Sequence, residues 1–161
     1  LGLLLAAYEM NAFRDSFQVQ VLANAKALAR GLHEEGLKVA GDPALGYTET
    51  HQVVVEIGYG QGVEAARRLE ENNIIVNYQA SPREEGFTAA GSLRLGVAEM
   101  TRFGMKEQDF RELAGLISGV VRERRTVRYE IVRLRSRFLE IGYCFSRGEL
   151  EGKLEEMREL A

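Results

Sequence analysis

The 161-residue sequence contains no tryptophan, one cysteine, two histidines and two prolines. A single cysteine cannot form an internal disulfide, and one thiol with two imidazoles is a poor supply for a structural zinc site. Long apolar runs are also missing, because no stretch approaches the roughly 18 apolar residues of a membrane span. We therefore expect no disulfide framework, no membrane partner and a reducing compartment, the cytoplasm.

Charge of one sign is not in excess. The 21 Lys and Arg residues face 24 Asp and Glu residues, for a net charge of −3. No global positive field therefore draws the chain to nucleic acid or anionic lipid. The 45% hydrophobic and 28% charged residues are typical of a folded domain, and the length suits one domain with an appendage.

The apolar residues at the start of the chain do not indicate a signal peptide. No basic segment precedes the run Leu1–Ala7, and the charged residues Glu9 and Arg14 follow soon after it. Because the chain opens inside a helical pattern and not at a methionine, we expect a piece of a longer protein.

Helical periodicity dominates three segments. The first stripe of apolar residues is followed by Gly36, where we expect the first helix to end. The second stripe ends at Asn72-Asn73, and the third runs from Lys106 to about Val121. The apolar positions are Phe13, Phe17, Val21, Ala25, Leu28 and Leu32, then Val63, Ala66 and Leu69, then Phe110, Leu113, Ala114, Ile117 and Val120.

Short β-branched runs between these helices predict strands. The expected strands are Lys38-Val39, Gln52–Ile57, Ile74–Val76 and Ser92–Leu95, with a loop over Ser81–Gly91. The sequence thus predicts an α+β fold, a small mixed or antiparallel sheet covered by helices, with a long N-terminal helix and a C-terminal helical extension.

The composition changes beyond residue 121, so we divide the chain into a domain over 1–121 and an extension over 122–161. Val127, Ile131, Leu134 and Phe138 continue a helical stripe, Gly142 and Gly148 bracket a break, and Glu149–Leu160 predicts an acidic final helix. Arginines crowd the polar positions of 122–137. We interpret them as a solvated face paired with the acidic helix or a partner subunit rather than as a phosphate site.

Few residues indicate a chemical site. The glycine-rich segment Gly58–Gly62 follows a strand and opens a helix, which would suit a phosphate, but a turn is the favoured interpretation. Cys144, between two aromatic residues, is not interpreted as a nucleophile, and His51 is interpreted as a packing residue and not a ligand.

Arg94 is the exception. It lies between Leu93 and Leu95 in a strand pattern, so its guanidinium faces the side of the sheet opposite to its apolar neighbours. A planar, permanently charged fork binds a carboxylate through two parallel hydrogen bonds, which lysine cannot imitate. The alternative is a strand arginine that reaches solvent.

Six segments in register carry a family resemblance over residues 3–121, which continues more weakly to the end. They are Asn24-Ala-Lys-Ala-Leu-Ala29, Thr50-His-Gln-Val-Val-Val55, Gly62-Val-Glu-Ala-Ala-Arg-Arg-Leu-Glu70, Ile75-Val-Asn77, Gly91-Ser-Leu-Arg-Leu-Gly96 and Phe103-Gly-Met-Lys-Glu-Gln-Asp-Phe110. In this order they resemble the C-terminal portion of serine hydroxymethyltransferase.

The resemblance implies a fold-type I pyridoxal-phosphate enzyme, usually a homodimer, that interconverts serine and glycine and passes one carbon to tetrahydrofolate. The cofactor lysine of such enzymes lies upstream in the large domain, and no lysine here matches its motif. The implied partners are therefore the protein's own large domain, a second subunit and an amino-acid substrate, and the chain alone is expected to be inactive.

The resemblance also assigns roles to individual residues. Arg94 matches the arginine that binds the substrate carboxylate, and His51 matches a histidine at a strand entry. Asn77 and Gln79 match a Val-Asn-x-Asn segment whose second asparagine touches the folate ring, so Gln79 is longer there by one methylene.

The departures from the family pattern leave alternatives open. The usual Ser-Gly-Ile-Arg is Gly91-Ser-Leu-Arg94 here, the Ser-Pro-Phe loop is replaced, and Gly96–Gly104 also differs. These changes put folate use in doubt. The alternatives are a folate-independent aldolase, a paralogue that accepts a modified serine, or a non-catalytic assembly module.

Overall fold

The computed structural model describes residues 2–81 and 89–159 of the chain. The predicted loop Ser81–Gly91 falls mostly on residues outside these ranges, as does Leu160 at the end of the predicted acidic helix.

The described residues form an α+β fold, as the sequence predicts. The helices are α1 (Gly2–Glu34), α2 (Gly62–Glu71), α3 (Ala98–Arg102), α4 (Glu107–Glu123), α5 (Arg128–Arg135) and α6 (Arg147–Glu159). The strands β1 (Lys38–Val39), β2 (Gln52–Glu56), β3 (Asn77–Gln79) and β4 (Ser92–Gly96) form one antiparallel sheet in the order β1-β2-β4-β3.

One face of this sheet is apolar and covered by helices. Val53 and Val55 of β2 and Leu93 and Leu95 of β4 are at most 5% exposed. They belong to the same hydrophobic cluster as buried residues of α1, α2 and α4. The other face carries the alternate residues of the strands, which are mostly polar, and these define the surface on which Arg94 lies.

Helix α1 ends where the sequence predicts. Gly36 has φ +81°, the Leu37 amide donates to the Leu32 carbonyl at 2.9 Å, and the Gly36 amide donates to His33 at 2.8 Å. These bonds form a Schellman cap, which needs a left-handed residue and therefore favours glycine.

The two halves of α1 differ in burial. Its fully buried residues begin only at Val21, whereas Leu3 is 88% and Val19 72% exposed. The first half of the helix therefore extends beyond the sheet and its helical layer.

The predicted strand Ile74–Val76 is wrong, and the strand begins three residues later at Asn77. Asn73 is left-handed with φ +62°, and the Ile74 amide donates to the Leu69 carbonyl at 2.9 Å. The end of α2 therefore uses these residues for its cap, so they cannot enter a strand directly.

Helix α3 was not predicted from the sequence, because five residues are too few to show a helical period. Thr101 donates to the Val97 carbonyl, and the buried Asn24 amide of α1 donates to the Thr101 hydroxyl and the Met105 carbonyl, each at 2.8 Å. Asn24 thus ties α1 to the segment that follows β4.

The C-terminal extension returns to the first half of α1. The break between α5 and α6 spans residues 136–146, earlier than the predicted glycines, and Phe138 lies in it. Within the break, the Tyr143 ring lies 5.1 Å from Phe17 and the Phe145 ring 5.6 Å from Phe13. The division at residue 121 remains a prediction, although Val127, Ile131 and Leu134 join the main core cluster.

The arginine-rich segment does not pair with the acidic helix. Arg137 binds Asp109 at 2.7 Å and Glu112 at 2.9 Å, both on α4, and Arg135 lies 4.3 Å from the Phe103 ring centroid. None of the described ion pairs of Arg122–Arg137 involves α6, so the predicted pairing with the acidic helix is wrong, and the pairing with a partner subunit stays a prediction. The reason is the direction of the chain, since the 136–146 break carries α6 toward Tyr8 of α1.

Among the residues that the structure describes, no helix combines the length and the apolar content needed to cross a bilayer.

Candidate functional site

Arg94 occupies the middle of β4, a strand with neighbours on both sides. It pairs with Val54 of β2 and with Asn77 of β3. Strand alternation places Leu93 and Leu95 in the core and the half-buried Arg94 side chain on the opposite face. The structure therefore confirms the predicted strand position of Arg94 and the face on which its side chain lies.

Two cross-strand pairs bring four polar residues together beside β3. Asn77 is directly opposite Arg94, and Gln79 is directly opposite Ser92. Since residues two apart in a strand share a face, all four lie on the same side of the sheet. The structure therefore places Asn77 and Gln79, both predicted as site residues, next to Arg94.

The guanidinium of Arg94 has no hydrogen bond or ion pair with any described residue. Elsewhere on this face, Lys38 of β1 forms an ion pair with its cross-strand partner Glu56, whose side chain is only 12% exposed. The Lys38 charge thus offsets that of Glu56. Arg94 provides a half-buried positive charge with hydrogen-bond donors available for an anion.

Ser92 is a member of this group that the sequence analysis did not single out as a site residue. It is completely buried, and its hydroxyl has no hydrogen-bond partner among the described residues. The signal was available in the sequence, because Ser92 lies two residues before Arg94 in an alternating strand.

His51 does not pack as expected. Its side chain is exposed at the start of β2, and its described hydrogen bond is made by the backbone carbonyl, which accepts from the Val97 amide at 3.1 Å. That bond fixes the chain just after β4. The structure therefore gives His51 a backbone role in holding the strand that carries Arg94.

The segment Gly58–Gly62 forms the expected turn. Gly58 and Gly60 have φ values of +119° and +69°, and the Gly62 amide donates to the Ala90 carbonyl at 2.7 Å. A Cβ at Gly62 would lie 2.7 Å from that carbonyl oxygen, so the close approach requires glycine. The Gly62 amide at the start of α2 is thus already hydrogen-bonded to the Ala90 carbonyl.

The remaining candidates form no chemical site. Cys144 is half-buried, and its thiol contacts the Ile141 carbonyl at 3.4 Å. In the described ranges, no three His, Cys, Asp or Glu side chains are grouped closely enough to hold a metal ion.

Comparison with known proteins gives one consistent result. The family model for serine hydroxymethyltransferase matches residues 4–117. The serine hydroxymethyltransferase of Saccharolobus islandicus is 42% identical over 145 residues, covering 86% of this chain and 33% of that protein. That of Staphylothermus marinus is 41% identical over 160 residues, covering 95% of this chain and 36% of that protein.

A solved structure supports the same relationship. The L-threonine transaldolase of Pseudomonas fluorescens, in its internal aldimine state, has a TM-score of 0.80 and 31% identity to this chain. The match covers 92% of this chain and 35% of that one. The chain spans about a third of the length of the relatives it matches, and it belongs to the serine hydroxymethyltransferase family.

Proposed function

We propose that this chain is the C-terminal portion of a pyridoxal-phosphate enzyme that interconverts serine and glycine, with one-carbon transfer to tetrahydrofolate. Family membership supports the reaction class. The observation that carries the assignment for this chain is Arg94, a half-buried guanidinium without a partner among the described residues, on the sheet face that the described helices do not cover.

The role of Arg94 is to bind and orient the carboxylate of the amino acid. A bidentate contact fixes both the position and the rotation of the carboxylate plane, so the rest of the substrate is held in one direction. On the order of 3 to 5 kcal/mol of transition-state binding would be lost if the buried carboxylate had no partner.

Pyridoxal phosphate would supply the electron sink for carbanion formation. Its carbonyl needs a lysine, and the lysines of this chain contact residues other than Arg94. Lys38 pairs with Glu56, Lys106 donates to Gln20 at 2.9 Å, and Lys153 binds Glu156 at 2.8 Å. Lys26, on α1, packs against Gly46. These contacts support the proposal that the cofactor lysine lies in the upstream part of the enzyme and that this chain contributes to the amino-acid side of the site.

Asn77 and Gln79 are proposed as the folate-side residues. Their positions opposite Arg94 and Ser92 support a location next to the amino-acid site. The proposed partners are the enzyme's own large domain and a second subunit, and the proposed compartment is the cytoplasm.

A folate-independent aldolase is the second candidate. The similarity to an L-threonine transaldolase favours it, because that relative is similar over nearly the whole described chain. The glutamine at position 79 is compatible with this alternative, since an amide one methylene longer changes the shape of the folate side.

The test uses the complete enzyme, loaded with pyridoxal phosphate, and measures glycine formation from serine with and without tetrahydrofolate. Serine cleavage that depends on tetrahydrofolate would support the transferase. Equal rates in its absence, with acetaldehyde release from threonine, would support the aldolase. A fully active Arg94→Lys enzyme would remove Arg94 from either site.

A further inference from the structure

Ser92 is a polar side chain whose burial is not explained by the packing of the sheet. The residue is 0% exposed, yet its hydroxyl has no hydrogen-bond partner in the part of the chain that the structure describes. Buried polar groups are nearly always hydrogen-bonded, so an unpaired one calls for a specific reason. Valine or alanine would fill the position without burying an unpaired hydroxyl if the side chain only packed.

The strand register identifies the groups that Ser92 can reach. Across β2 its neighbour is Glu56, whose carboxylate is already bound to the Lys38 ammonium. Across β3 its neighbour is Gln79, which has no hydrogen bond with the described residues. Directly opposite side chains have Cβ atoms roughly 4.5 to 5.5 Å apart, so a rotation of the glutamine side chain brings its amide to the hydroxyl.

The chemistry of the two groups is complementary. A primary amide offers both a donor and an acceptor, and a serine hydroxyl can act as either. A bond between them would satisfy the buried hydroxyl and fix the orientation of an amide that is otherwise free to turn. The amide would then be held one cross-strand pair away from Arg94 and Asn77.

We infer that Ser92 is a positioning residue of the Arg94 site, whose hydroxyl holds the Gln79 amide toward the second substrate. This inference rests on the proposed function for the identity of that substrate, tetrahydrofolate. The hydroxyl does not contact the reacting atoms. It acts through Gln79, and the pair forms the neutral side of a site whose charged side is Arg94.

The first experiment measures steady-state kinetics of the complete, cofactor-loaded enzyme with Ser92→Ala. The KM for tetrahydrofolate should rise about fivefold, as expected for the loss of one neutral hydrogen bond, while kcat and the KM for serine change less than twofold. The control is Ser118→Ala. Ser118 is also buried, but its hydroxyl donates to the Glu35 carbonyl, away from the site. This control should lose stability without any change in KM.

The second experiment is a double-mutant cycle on chemical unfolding with Ser92→Ala and Gln79→Ala. Coupled residues are not additive, so Ser92→Ala should lower the folding equilibrium constant about fivefold in the parent and hardly at all in the Gln79→Ala background. Equal effects in both backgrounds would overturn the inference, as would an unchanged KM for tetrahydrofolate in an enzyme that uses it.

The two proposals can fail separately. An enzyme that ignores tetrahydrofolate, or that tolerates Arg94→Lys, contradicts the proposed function, and the unfolding cycle still decides whether Ser92 holds Gln79. An enzyme that meets both expectations but shows no coupling contradicts only the inference about Ser92.

Discussion

Arg94 and Phe110 lie on different sides of the sheet and serve different purposes. Arg94 lies on the polar face of β4 and makes no hydrogen bond or ion pair with the described residues, whereas Phe110 is 1% exposed and belongs to the central cluster. The first residue should matter for function and the second for stability.

Replacing Arg94 by lysine should leave the fold unchanged. Lysine keeps the charge and the long stem, and no described hydrogen bond or ion pair is lost. The free energy of unfolding of the complete enzyme should therefore stay within about 0.5 kcal/mol of the parent, while kcat/KM for serine falls by at least roughly a hundredfold. Denaturant titration and steady-state kinetics measure the two effects, and a large loss of stability would mean that Arg94 is structural.

Replacing Phe110 by alanine should have the opposite profile. Removal of a fully buried ring leaves a cavity and costs about 3 to 5 kcal/mol of unfolding free energy. Because Phe110 lies in α4, on the covered side of the sheet, the remaining folded enzyme should keep its KM values. A substitution that changes KM without changing the unfolding midpoint would place Phe110 in the site.

At the scale of elements, helices and strands that bury an apolar face were the ones predictable from the sequence. Helices α2 and α4, which bury most of their predicted stripes, were predicted with boundaries close to those observed, and so were β2 and β4, although Val63 of the α2 stripe is 50% exposed. The predicted strand at Ile74–Val76 failed because an apolar run cannot show that Asn73 turns left-handed to cap a helix. The pairing of Arg137 with α4 likewise depends on long-range geometry, which charge counting along the sequence does not contain.

In the candidate site, too, only the features set by local sequence were predictable. Alternation around Arg94 was enough to predict the face on which it lies. The pairing of Gln79 with Ser92 was not accessible, because the register between β3 and β4 is set by tertiary structure across a long connection.

The C-terminal extension should hold the first half of α1 in place. The Tyr143 and Phe145 rings pack at a tilt against Phe17 and Phe13 of α1. Arg102 binds Glu9 at 2.5 Å, and the Arg102 carbonyl accepts from the Gly142 amide at 2.7 Å. Ending the chain after residue 137 removes the rings and the Gly142 bond. Amides of residues 2–16 should then exchange faster with deuterium, while those of 21–32 should be unchanged. Equal protection of residues 2–16 in both chains would show that the extension does not brace α1.

At the scale of the whole molecule, the 161-residue chain should not retain pyridoxal phosphate. Its lysines lie on the periphery or in ion pairs, and the amide that opens α2 is bonded to Ala90. Incubation with the cofactor should therefore give no stoichiometric absorption band above that of a surface amine. A saturable band with one cofactor per chain would contradict the proposal that the cofactor lysine lies upstream.

The same chain should associate with itself when it is isolated. The first half of α1 presents Leu3 at 88%, Leu4 at 47% and Met10 at 42% exposure, and Val19 at 72% lies farther along the same helix. A protruding helix with this much apolar surface buries it against another surface, and in the isolated chain the surface available is a second copy. We expect a dimer or larger species by light scattering at micromolar concentration, and replacing Leu3 and Leu4 together by lysine should shift the population toward the 18.0 kDa monomer. A monomer before substitution would show that the segment is stable in water without a partner, and would remove self-association through α1 from the properties of this chain.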